Sequence, residues 1–121
     1  MRDQAIAELF ALDGRIAIVT GALGRLGREY VKTLAGAGAG VGAIDIAGDT
    51  AAFAPLTAQG HRIHVELADL SNKDATDRAI DAVTRALGAP SILVNNAGMG
   101  SSPAAGGKED GPFGDYFAAG G

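Results

Sequence analysis

Apolar residues along this chain alternate between two rhythms. RIAIVT (15–20) is a short, unbroken apolar run rich in β-branched residues. Such a run suits a strand covered on both faces. Residues 25–36 then place Leu26, Tyr30, Val31 and Leu34 at helical spacing. VGAIDI (41–46) reads as a second strand, residues 49–59 as a weak helix interrupted by Pro55, and RIHVELA (62–68) as a third strand. Ser71 with Asp74 three residues on resembles a capping box. It opens a helix to Leu87 whose inward stripe is Thr76, Ile80, Val83 and Leu87, and Gly88 and Pro90 stop it. SILVNN (91–96) is a fourth strand. Ahead of these, residues 3–11 predict a short amphipathic helix with Ile6, Leu9 and Phe10 on one side, ended by an Asp13-Gly14 turn. The alternation β-α-β-α-β-α-β predicts an α/β fold with a parallel sheet and right-handed crossovers.

After Ala97 the pattern stops. Residues 99–115 are rich in Gly, Ser and Pro and read as loop, and DYFAA (115–119) predicts the start of a helix. The expected organisation is therefore one domain over residues 1–98 and a loop-like tail over 99–121. With 121 residues, one core is what the chain can build. A net charge of −4 and no Lys/Arg cluster argue against nucleic acid. The absence of cysteine excludes disulfides and thiolate metal sites. No apolar run has the length of a membrane span, and MRDQAIAELF has no long apolar stretch of a signal peptide. A cytoplasmic protein is the expectation. Glycine, at 19 residues, is in excess, and AGAGAGVGA (35–43) places Gly40 and Gly42 where larger strand formers would pack better.

The informative stretch is IVTGALGRLGRE (18–29), a strand running into Gly21, Gly24 and Gly27 and then a helix. In that setting a glycine motif signals dinucleotide binding. A helix N-terminus offers unpaired N–H groups and partial positive charge to a diphosphate, and the backbone must come close for both to act. Gly21 suits the tight turn, Gly24 the close approach and Gly27 the packing of helix on strand. Asp45 ends the second strand 18 residues after Gly27. An acid near that distance meets the adenine-ribose hydroxyls and repels a 2′-phosphate, which favours NAD over NADP. Arg25, beside the same turn, is a cation that could receive such a phosphate; Asp45, placed where the ribose should lie, is weighted above it. The architecture this implies is a Rossmann-type doubly wound sheet, incomplete at about four strands, in the order 3-2-1-4 with helices on both faces.

Together these residues resemble the short-chain dehydrogenase/reductase family. LDGRIAIVTGALGRLGRE is similar to its first strand and cofactor turn, Asp69-Leu70 to its Asp-hydrophobic pair, and NNAG (95–98) to its most specific short signature. The resemblance spans about residues 10–100, with a continuation to 119. It implies that the Asp69 carboxylate meets the adenine amino group, that Asn95 stabilises the central sheet, and that Ala97-Gly98 pass close to the cofactor ribose. The cofactor-binding set it implies is Gly21, Leu23, Gly24, Arg25, Leu26, Gly27, Asp45, Ile46, Asp69, Leu70, Asn96, Ala97 and Gly98. The turn departs from the common TGxxxGxG spacing, since Arg25 stands at the middle glycine. TGxxGxxG is the spacing of the extended branch, which includes sugar-nucleotide epimerases.

Catalysis in the family uses a Ser and a Tyr-x-x-x-Lys group beyond the fourth strand. Tyr116 is followed four residues on by Gly120, and Ser101 and Ser102 follow NNAG too soon. No residue of this chain is assigned a catalytic role. His61 and His64, three apart on a strand, point to opposite faces and make no metal pair. The leading expectation is the NAD-binding part of an oxidoreductase that moves hydride between nicotinamide and an alcohol or carbonyl substrate, inactive alone. A non-catalytic nucleotide-binding or interaction module stands as the second reading, and an extended-branch epimerase fragment as the third. The fourth strand would present an apolar edge, which predicts either marginal stability of the chain alone or self-association through that edge.

Overall fold

Four parallel strands form one sheet in the order β3-β2-β1-β4. The computed structural model describes residues 4–98; the expected loop and helix start over 99–121 lie outside the described residues. The elements are α1 (Gln4–Leu9), β1 (Ile16–Thr20), α2 (Arg25–Gly36), β2 (Gly40–Asp45), α3 (Ala54–Ala58), β3 (Ile63–Leu67), α4 (Lys73–Leu87) and β4 (Ile92–Val94). The order and the alternation are those the sequence predicts. Strand ends are one or two residues shorter at most places, where the pleat gives way to turns.

Side chains alternate across the sheet, so each strand feeds two cores. On one face Val19, Val41 and Ala43 meet Val31 and Ala35 of α2, with Phe53 closing the end. On the other Ile16, Ile18 and Ile44 meet Ala79 and Val83 of α4. β1 and β2 are central and buried almost throughout, which explains why their runs show no polar alternation. β3 and β4 are the outer strands and are only half covered.

Gly40 and Gly42 acquire a reason here. A methyl at Gly42 would sit 2.7 Å from both Val83 γ-carbons, and one at Gly40 would sit 3.0 Å from Ile16 Cδ1. The missing side chain at Gly42 lets α4 lie close on β2, where Val83 fills the space, and that at Gly40 leaves room for Ile16.

Four local readings change. Pro55 stands in the first turn of α3 rather than interrupting a longer helix, because that turn needs no N–H from it. The cap of α4 is Asn72, whose Oδ1 accepts the Ala75 N–H at 3.0 Å; Ser71 is turned to Asp69 instead. In α4 the buried residues are Ala79 and Val83, whereas Ile80 is exposed. In α2 Gly27, Val31 and Ala35 are buried, and Leu26 is exposed. Close approach to a sheet rewards small residues in the stripe over the larger ones flanking it. In the α1 segment Ile6, Leu9 and Phe10 are likewise exposed.

Candidate functional site

All strands run the same way, so their carboxyl ends share one rim. A cleft of about 660 Å³ opens there, lined by Gly21 and Gly24 after β1, Asp45 and Ile46 at the end of β2, Ala68 to Ser71 after β3, and Asn96 to Gly98 after β4. Openings at the carboxyl ends of an α/β sheet are where such folds bind ligands.

The turn between β1 and α2 is built by its glycines. Gly21 takes φ +62°, and a methyl there would sit 3.1 Å from Ala97 Cα and from Asn96 Nδ2. It therefore serves both the turn and the passage of the β4 segment. Gly27 lies against the Gly21 carbonyl; a methyl on it would also be 2.8 Å from Ala22 Cα. Gly24 differs, since a methyl would find only the Gly21 oxygen, 3.5 Å away. Its bareness keeps space in the cleft rather than space for the protein. Gly24 is also the N-cap of α2, with no side-chain bond to the helix end and no acid in the first turn. The N–H groups of Arg25, Leu26 and Gly27 occupy the positions that have no intrahelical acceptor.

Asp45 reaches across to this turn. Its Oδ2 accepts the Leu23 N–H at 2.9 Å and its Oδ1 accepts the Ile46 N–H at 2.7 Å. Leu23 itself is buried, packed over Gly48. Asp69, at the opposite wall, accepts at Oδ1 from the Ser71 hydroxyl (2.7 Å) and the Ser71 N–H (3.0 Å). These two bonds, the hydroxyl first, hold its carboxyl below the ordinary value of 3.8. Asp69 is fully ionised at neutral pH and remains an acceptor.

Thr20, the last residue of β1, is the buried polar group of the site. Its hydroxyl oxygen accepts the N–H groups of Asn96 (3.0 Å) and Ala97 (2.9 Å), while its hydrogen faces Asn95 Oδ1 at 3.3 Å. Asn96 Nδ2 donates to the Gly21 carbonyl at 3.3 Å. One hydroxyl thus ties the segment after β4 to the glycine turn.

Of the residues singled out from the sequence, Gly21, Gly24, Asp45, Ile46, Asp69, Leu70, Asn96, Ala97 and Gly98 line one cleft. Leu23 and Gly27 lie beneath it in the packing of the turn, and Arg25 and Leu26 are exposed on the first turn of α2. Ala68 and Ser71 join the lining, and Thr20 orders it, without having been singled out as site residues. Position at a strand's carboxyl end was the available signal for all three. His64 bonds Glu66 at 2.7 Å on β3, away from the cleft. Among the described residues no cluster of three or more His, Cys, Asp or Glu could hold a metal, and no helix is long and apolar enough to cross a membrane.

The family described as short chain dehydrogenase matches residues 15–117. The chain is 36% identical over 90 residues to the (2S)-[(R)-hydroxy(phenyl)methyl]succinyl-CoA dehydrogenase subunit BbsD of Thauera aromatica, covering 73% of this chain and 36% of that one. It is 36% identical over 94 residues to 2-dehydro-3-deoxy-D-gluconate 5-dehydrogenase of Escherichia coli, covering 78% and 37%. Among solved structures, 2-keto-3-deoxy-D-gluconate dehydrogenase from Streptococcus agalactiae superposes with a TM-score of 0.70 at 28% identity, over 83% of this chain and 38% of that one. The chain therefore spans a little over a third of the length of these relatives. With its sheet order, its glycine turn and its matched residues in agreement, the chain belongs to the short-chain dehydrogenase family.

Proposed function

We propose that these residues form the dinucleotide-binding part of an oxidoreductase that moves hydride between nicotinamide and an alcohol or carbonyl substrate. The observation that carries this is the uncapped start of α2 beside Gly24, opening onto a cleft at the carboxyl rim. A diphosphate satisfies the first N–H groups of the helix where no side chain does. The residues present fit the cofactor. Gly24 leaves the room a diphosphate needs, Asp45 stands where the adenosine ribose would lie, and Asp69 offers an ionised acceptor to the adenine amino group. Ile46, Ala68 and Leu70 supply apolar surface for the base. NAD, when bound, supplies the hydride-accepting ring.

Asp45 favours NAD over NADP, because a carboxylate repels a 2′-phosphate. The 121 residues contain no Tyr-x-x-x-Lys, so these residues by themselves bind without turning over. Cytoplasmic location and self-association through the outer edge of β4 belong to the proposal.

Calorimetric titration with NADH and NADPH is the test. NADH binding with at least tenfold weaker NADPH binding is expected. Failure of both to bind at millimolar concentration would sink the proposal. Alcohol turnover by these 121 residues would refute the binding-only role.

A further inference from the structure

We propose that Asp45 is a positioning residue for the phosphate turn as well as a partner for the ribose. This rests on the dinucleotide site proposed above and adds a distinct mechanical role. Two successive N–H groups of the glycine turn are anchored to the end of β2: Ala22 donates to the Ile44 carbonyl at 3.1 Å, and Leu23 to Asp45 Oδ2 at 2.9 Å. The first continues the ladder between the strands. The second uses a side chain to extend it one residue, past the point where the turn leaves the sheet.

The anchored residue is itself wedged. Leu23 is buried, and the adjoining loop accommodates it only because Gly48 has no side chain; a methyl there would lie 2.8 Å from Leu23 Cδ1. Gly24, the next residue, is the N-cap whose position sets the aim of the helix N–H groups. The carboxylate that meets the ribose therefore also fixes the residue preceding the diphosphate cradle. A carboxylate has about four acceptor sites. The Leu23 and Ile46 N–H groups take two, which orient the group and leave a pair for two vicinal hydroxyls. Substitution at Asp45 should thus weaken diphosphate binding even where no ribose hydroxyl is present.

ADP and 2′,3′-dideoxy-ADP separate the two roles, each titrated into the whole 121-residue chain and its Asp45→Ala and Asp45→Asn variants. Asn keeps an acceptor oxygen for the Leu23 N–H but loses the charge and one acceptor. For Asp45→Ala, loss of the anchor should weaken dideoxy-ADP about fivefold, and ADP should weaken by a further tenfold or so. For Asp45→Asn, dideoxy-ADP should stay within about twofold of the parent while ADP weakens. Exchange of the Leu23 amide with solvent, read by NMR, should accelerate in Asp45→Ala and not in Asp45→Asn. Unchanged dideoxy-ADP affinity and unchanged Leu23 exchange in Asp45→Ala would overturn the anchor and leave Asp45 a ribose ligand only. Should Asp45→Ala not fold, Asp45→Val, similar in volume and without an acceptor, takes its place: weakened dideoxy-ADP and faster Leu23 exchange support the anchor, and no change in either overturns it. If the parent chain binds neither nucleotide, the dinucleotide site itself fails, and Leu23 exchange alone decides whether the anchor exists.

Discussion

A single methyl at Gly27 would meet main chain on two sides, the Gly21 carbonyl and the Ala22 α-carbon. Neither can swing away as a side-chain tip could. Gly27→Ala should cost about 1–3 kcal/mol in chemical denaturation through overpacking, and it should weaken NADH by displacing the turn. A melting curve and affinity equal to the parent's would contradict the packing described. Asp69 makes a different residue-scale prediction. Its carboxyl is held low by Ser71, so it contributes stability above its ordinary value that is lost as pH falls through its lowered one. Ser71→Ala should move the Asp69 titration upward towards 3.8, as followed by carboxyl NMR shifts. The glycines and Asp45 were legible from sequence because their spacing alone marks a strand, a turn and a helix. Thr20 and Ser71 were not. The Thr20 hydroxyl serves N–H groups 76 and 77 positions along the chain, and nothing local to Thr20 announces them.

Elements were legible where their neighbours are similar on both sides. β1, β2 and β3 follow from apolar runs, and α2 was expected over its observed range, 25–36. What sequence periodicity misjudged was which residues in a helix stripe go deepest. In α4 that depends on Gly42, across the gap on β2, and therefore on a partner some forty positions away. The contact makes a paired prediction. Gly42→Ala alone should destabilise by about 1–3 kcal/mol. Adding Val83→Ala, which removes the two γ-carbons that the new methyl would meet, should recover part of that loss. A double mutant that is additive within about 0.5 kcal/mol would show that the contact does not couple α4 to β2.

At the scale of the molecule, the sheet is covered unevenly. Leu93 pairs with Ile18 in register, so it shares the face that α4 packs, yet it is 66% exposed because α4 lies over β2 and β3, on the far side of β1 from it. Among the described residues nothing pairs with the outer edge of β4. An open apolar strand of this kind recruits other chains. The 121-residue chain should elute larger than a monomer at high concentration, and Leu93→Lys should shift it towards monomer with little change in NADH affinity. A parent chain that remains monomeric at every concentration would remove self-association from the proposal.

The parallel arrangement also divides labour between the two rims. Each strand is preceded at the rim opposite the cleft by a glycine in the left-handed region: Gly14, Gly38, Gly60 and Gly88, with φ from +76° to +122°. Four of the 19 glycines thus belong to chain reversal at the rim away from the cleft. Gly60, like Gly14, has no atom within 4 Å of where a methyl would be, so the connection between α3 and β3 has room for an insertion. A reporter domain spliced in there should leave the cleft at the carboxyl rim untouched.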